Sequence, residues 1–189
     1  VAGSGIGVSL ILAFVKACLL QLKQLHDQPE RLLVRLDNLL RELSSRAGRK
    51  YMTMQCALLD CQKAEVTIAN AGHCFPVMLD LEEGAAKVVN MPSTPLATGR
   101  KVACCTKTFN LKPGENLALY SGGLYRNGEN GFADFIRDLV KNRSHCPKAW
   151  YDSVIAEITG RIRAAECRDD MTMAVIGCFD KPVESEKFV

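Results

Sequence analysis

At 189 residues, 48% of them apolar, the chain is long enough to bury one sizeable core and too short to suggest two full domains. Its 24 Lys and Arg against 21 Asp and Glu leave a net charge of +3, with no block of one sign longer than three residues, so nucleic acid is not an expected partner. The longest apolar stretch, Val8 to Leu22, is broken by Lys16 and falls short of the roughly 20 residues that a membrane span needs, so no span is expected in this segment.

The chain starts at Val1, and its opening VAGSGIG has neither the basic start nor the cleavage site of a signal peptide, which reads as a cut inside a longer protein. Nine cysteines, odd in number, scattered through apolar runs and without a CxxC, argue against a disulfide scaffold and for a reducing cytosol. The parent protein can still be tethered to a membrane through upstream domains. His26, His73 and His145 lie too far apart in sequence to suggest a zinc site.

In chain order, apolar residues over Val8 to Leu25 recur at three and four, predicting a helix that buries Val8, Ile11, Leu12, Val15, Cys18, Leu19, Leu22 and Leu25. A second helix is expected to open at Asp27, Pro29 and Glu30 and to stop near Gly48, with leucines 32, 33, 36, 39, 40 and 43 as its stripe. From Tyr51 the period becomes two, and strands are expected to Leu58, then over Glu65 to Asn70, Phe75 to Leu81, Ala86 to Met91, Val102 to Leu111 and Asn116 to Ser121. The turns between them suggest a meander of hairpins. Helices follow over Phe132 to Asn142 and Lys148 to Ala165, then a last strand over Met171 to Phe179. Helices grouped before and after a run of strands predict an α+β sandwich over 1–180, with 181–189 as a polar tail.

Four places can carry chemistry. Gly3, Gly5 and Gly7 precede a helix, where backbone N–H groups can face a phosphate, or where glycines merely lead into the helix. Asp169 and Asp170 sit side by side before the last strand, a pattern suited to a hard cation or to a solvated turn. Tyr120-Ser121-Gly122-Gly123 ends a strand in two glycines, which permits close approach of another group or a plain tight turn. Asn70-Ala71-Gly72-His73 ends another, and His73 can contact phosphate, shuttle a proton or simply close a hairpin.

The order of VAGSGIGVSLILAFVKA, MTMQCALLD, VTIANAGHCFPVML, FNLKPGENLALYSGGL and RDDMTMAVI resembles the PPM-type, metal-dependent serine/threonine protein phosphatases of the SpoIIE and RsbU-like, sigma-factor-regulating branch. That family shows "GDVSGHG" leading into a long helix, then "YANAGH", "L.PGD.L.LYTDGL" and "DDIT". The resemblance implies an antiparallel β-sandwich flanked by helical hairpins, the αββα fold, with the N-terminal strands upstream of this chain. It implies hydrolysis of phosphoserine or phosphothreonine by water held between two Mn2+ or Mg2+ ions.

Residue by residue, the resemblance makes Asp169 a metal ligand and Asp170 its weaker neighbour. Val1 matches the residue after the bridging aspartate and lends a backbone carbonyl. The bridging aspartate and an earlier acidic motif would lie before Val1. Ser4 stands in place of the histidine of "GHG", and with Gly3 and Gly5 belongs to the expected phosphate cleft. Gly122 stands where "TDG" has a metal aspartate, so binding of the second ion is expected to be weakened or lost. The implied partner is a phosphorylated regulatory protein of the anti-sigma-factor antagonist type. A second copy of the chain, paired through the first helices, is also implied, against ordinary packing of the same leucines on a sheet. Two other readings stand beside the enzyme: a degenerate phosphatase domain serving as a binding module, and an unrelated α+β binding domain.

Overall fold

The computed structural model describes residues 6–47, 51–126, 131–144, 146–161 and 169–178. The chain divides into two compact units, Val1–His73 with Met91–Asn110, and Cys74–Asn90 with Leu111–Val189.

In the first unit, helix α1 (Ile6–Gln21) ends in a 3₁₀ turn, Lys23–Leu25, and helix α2 (Pro29–Ala47) follows. Proline suits the first helical position because its missing N–H needs no partner there, and Glu30 adds a carboxylate in the first turn. The cap position falls on Gln28, whose carbonyl accepts the Leu32 N–H at 2.9 Å, while Asp27 only receives the Gln28 side-chain amide at 3.3 Å. Leu33, Leu36 and Leu40 are buried as their spacing requires, and each such burial stabilises by roughly 1.5–3 kcal/mol. In α1 only Val15 and Cys18 are fully buried, and Leu12, expected inside, is 51% exposed. A helix apolar on most sides gives its sequence no unique inward face, so the expected stripe is one residue wider than the buried one.

Strands β1 (Met54–Asp60), β2 (Glu65–Ala71) and β5 (Cys105–Asn110) form one antiparallel sheet in the order β1-β2-β5. The second unit holds the other sheet, in which β3 (Val77–Asp80), β4 (Ala85–Val88), β6 (Glu115–Tyr120) and β7 (Met173–Gly177) run in the order β4-β3-β6-β7, all antiparallel. Helices α3 (Gly123–Arg126), α4 (Gly131–Lys141) and α5 (Pro147–Arg161) belong to this unit. Trp150 and Phe135 are the largest fully buried side chains of its core, and the Trp150 indole N–H donates to the Leu139 carbonyl at 3.0 Å.

The architecture is α+β with antiparallel strands, as expected. The simple meander is not observed. The β3-β4 hairpin is interposed in sequence between β2 and its neighbour β5, and β6 pairs with β3 across the intervening β4 and β5. Such pairings are chosen by packing at long range, which local turn signals do not carry. A single helical turn, α3, stands where the two glycines suggested a tight turn or the close approach of another group.

Candidate active site

The end of β6 and the start of β7 bring three of the expected positions together. Tyr120 pairs with Met173, and the ladder continues one step further because the Ser121 N–H donates to the Thr172 carbonyl at 2.9 Å. Ser121 Oγ then accepts the Thr172 N–H at 2.9 Å and donates to the Asp170 carbonyl at 3.0 Å. One hydroxyl thus satisfies a donor and an acceptor of the segment that carries both aspartates. Sequence reasoning did not single out Ser121 as a positioning residue. Its place at the last strand step before two glycines was the available signal.

Gly123 explains why glycine is needed there. A Cβ at this position would stand 2.8 Å from the Asp170 carbonyl carbon and closer still to its oxygen. The backbone of the Asp169-Asp170 turn therefore lies directly against α3, and no larger residue fits without displacing it. Asp169 and Asp170 are both exposed, and they precede the strand rather than belonging to it.

Gly122 has a different neighbour. The Arg126 N–H donates to the Gly122 carbonyl at 2.9 Å, so one helical turn brings the arginine back over the glycine. A Cβ on Gly122 would lie 3.0 Å from Arg126 Nε and 3.1 Å from Cζ. The same guanidinium stands 3.9 Å from Asp169 Oδ2 and 6.0 Å from the Tyr125 ring centroid. Burial first, then Cys74, push the Tyr125 hydroxyl above its ordinary value, and Arg126 pulls it back.

His73 belongs to the other unit. Its backbone N–H donates to Asn70 Oδ1 at 3.1 Å, and its Nδ1 lies 3.0 Å from Thr53 Oγ1. The fully buried Asn70 amide donates to the carbonyls of His73 and Met91 at 3.1 and 3.0 Å. Gly72, at φ +68°, would bring a Cβ to 2.6 Å from Pro95. A buried acid escaped sequence reasoning: Asp37, inside α2, accepts the N–H groups of Ala97 and Val102 at 2.8 and 3.3 Å. A charged residue in mid-helix looks like a solvated face until the loop it holds is seen. Val1, Gly3, Ser4 and Gly5 lie outside the described residues.

For a metal, the described residues offer Asp169 and Asp170. Among them no group of three or more His, Cys, Asp or Glu side chains could hold an ion. Carboxylate oxygens are the ligands a hard cation prefers, whereas position 122 supplies none and a guanidinium lies 3.9 Å from Asp169. No helix among the described residues is long and apolar enough to cross a membrane.

Comparison with known proteins agrees with this architecture. Residues 1–179 match the profile of the family described as Stage II sporulation protein E (SpoIIE). No curated protein sequence matches significantly. Among solved structures, the SiaA-PP2C domain of Pseudomonas aeruginosa is similar with a TM-score of 0.74 at 19% identity, over 94% of this chain and 72% of that one. RsbX in complex with magnesium gives 0.67 at 15%, over 92% and 75%. The Mn-presoaked phosphatase domain of SpoIIE from Bacillus subtilis gives 0.58 at 15%, over 96% and 77%. At these identities the likeness concerns the fold, which is that of the PPM phosphatase domains.

Proposed function

We propose, from the premise that this chain belongs to the SpoIIE family of phosphatase domains, that it is a protein serine/threonine phosphatase domain using Mn2+ or Mg2+. Its substrate would be phosphoserine or phosphothreonine on a bacterial regulatory protein of the anti-sigma-factor antagonist type, in a reducing cytosol. The observation that carries this reading is the Asp169-Asp170 turn, fixed against the end of β6 by Ser121 and by the close approach of Gly123.

Asp169, with Asp170 beside it, would hold a hard cation. Such an ion, when bound, supplies Lewis acidity toward phosphoryl oxygens. The chain's own residues do the positioning: Ser121 fixes the carbonyl of Asp170, and Gly123 lets that backbone close on α3. The Val1 carbonyl and Ser4 take their roles from the resemblance, and Gly3, Gly5 and His73 take theirs as phosphate contacts from their places before a helix and at a strand end.

The test is Mn2+-dependent release of phosphate from p-nitrophenyl phosphate and from a phosphoprotein by the longer parent protein. Turnover at millimolar Mn2+ is expected, and its absence would rule the enzyme out. A second reading, a phosphatase-fold binding module without chemistry, is favoured by one observation, the glycine at position 122. Calorimetric titration of the longer parent protein separates the two, since tight binding of two Mn2+ per parent chain counts against the module.

A further inference from the structure

We infer that the Arg126 guanidinium supplies, in place of a second divalent cation, the positive charge that meets the phosphate of a phosphorylated side chain at this site. The inference rests on the proposed phosphoserine or phosphothreonine ligand and adds the residue that binds it.

Three observations converge. The Arg126 N–H bond to the Gly122 carbonyl at 2.9 Å is part of the backbone, so the arginine stem is returned over position 122 by the helical turn rather than by a chance rotamer. The volume that a side chain at 122 would need lies 3.0 Å from Arg126 Nε, so the guanidinium occupies the space beside the glycine and would have to shift for a carboxylate there. Arg126 Nη1 lies 3.9 Å from Asp169 Oδ2, which gives this carboxylate a cationic neighbour at a solvent-exposed site.

A dication approaching Asp169 would meet that guanidinium's repulsion against the pull of the carboxylates, whereas a phosphoryl oxygen reaching Arg126 from the side away from Asp169 and Asp170 would meet its attraction. The Arg126 side chain is 65% exposed, and 3.9 Å from Asp169 is an ion pair rather than a tight hydrogen bond. The planar fork therefore keeps N–H groups for phosphoryl oxygens, the bidentate geometry for which arginine is suited and lysine is not. Tyr125, the preceding residue, has its ring centroid 6.0 Å from Cζ and its hydroxyl hydrogen-bonded to the guanidinium, which takes one part of the fork and limits the directions of the rest.

The experiment titrates inorganic phosphate, and separately a phosphoserine peptide, into the 189-residue chain with excess EDTA, for wild type, Arg126→Ala and Arg126→Lys. Wild type is expected to bind both, Arg126→Ala to bind at least about tenfold more weakly, and Arg126→Lys to fall between. Mn2+ titration without phosphate is expected to show tighter binding in Arg126→Ala, and tighter again when Gly122→Asp is added. The inference is overturned if wild type binds no phosphate in EDTA, if Arg126→Ala binds it within twofold of wild type, or if removing Arg126 weakens Mn2+. Turnover by the parent with phosphate affinity indifferent to Arg126 would sink this inference and leave the proposed hydrolysis standing. Arg126-dependent binding without turnover would do the reverse.

Discussion

The two sheets each contain a hairpin and a strand that ends in glycine, yet they spend those features differently. In the first sheet the strand end is locked. Asn70 makes three hydrogen bonds, Gly72 donates to Ser93 Oγ at 2.9 Å, and Pro95 leaves no room for a side chain. In the second sheet Ser121 and Gly123 hold the strand end against the Asp169-Asp170 turn, and Arg126, Asp169 and Asp170 beside it are exposed. A glycine-bearing strand end is thus no mark of chemistry by itself. What distinguishes the two is how deeply the polar groups around it are buried.

The comparison breaks most visibly at Gly72. Gly72→Ala combines a positive φ with a clash against proline backbone, and is expected to cost roughly 3 kcal/mol. Urea unfolding measures this, and a loss under about 1 kcal/mol would mean that the first strand end is as open as the second. Cys56 offers a local readout, because it pairs with Ala69 and burial pushes its thiol up to about 11. At pH 8 it is almost wholly protonated and unreactive, so faster alkylation of Cys56 in the variant would locate the damage at this strand end. The same raised value makes the thiol's contribution to stability decline as pH climbs from 9 toward 11, and alkylation is best done below that window.

Gly123→Ala is expected to cost less, roughly 2 kcal/mol, because the Asp169-Asp170 turn is exposed and can move away. Its effect on function should exceed its effect on stability. Loss of Mn2+-dependent phosphate release, with the fold retained by circular dichroism, is the expected pair of outcomes. Ser121→Ala comes next, at about 1 kcal/mol for two hydrogen bonds at a partly exposed site. It should likewise weaken phosphate release, and Ser121→Thr, which keeps the hydroxyl, should restore it. If Ser121→Ala left release unchanged, the clamp on Asp170 would be merely structural.

What the sequence disclosed follows from the range of each interaction. Leu33, Leu36 and Leu40 declared α2 because helical period is a local property, and the strands were placed within a few residues by their period of two. The pairing of β2 with β5 and of β3 with β6 was not readable, since nothing in either strand names its neighbour. Asp169, Asp170 and Gly122 were readable as a candidate site because motif order links them. Arg126 was not, because its importance depends on the turn that folds it back over a residue without a side chain.

The hairpins reverse the contrast between the sheets, and they give the smallest effect. In the first, Asp60 Oδ1 accepts the N–H groups of Gln62 and Lys63. In the second, Asp80 Oδ1 accepts those of Glu82 and Glu83 in the same way. Four residues later each chain needs a left-handed residue, and the two hairpins answer with Ala64 at φ +50° and Gly84 at φ +63°. Alanine is strained there and glycine is not, so the hairpin of the locked strand end is the less relaxed of the two. Ala64→Gly is therefore expected to stabilise the chain by about 0.5–1 kcal/mol, the steric relief exceeding the added freedom of the unfolded chain. The reciprocal change, Gly84→Ala, should destabilise by a similar amount, with the added methyl also about 3.2 Å from the Arg143 guanidinium carbon. Thermal unfolding of the pair of variants measures both. A fall in melting temperature for Ala64→Gly would show that the unfolded-state entropy outweighs the strain, and that the two turns are not equivalent despite their shared aspartate geometry.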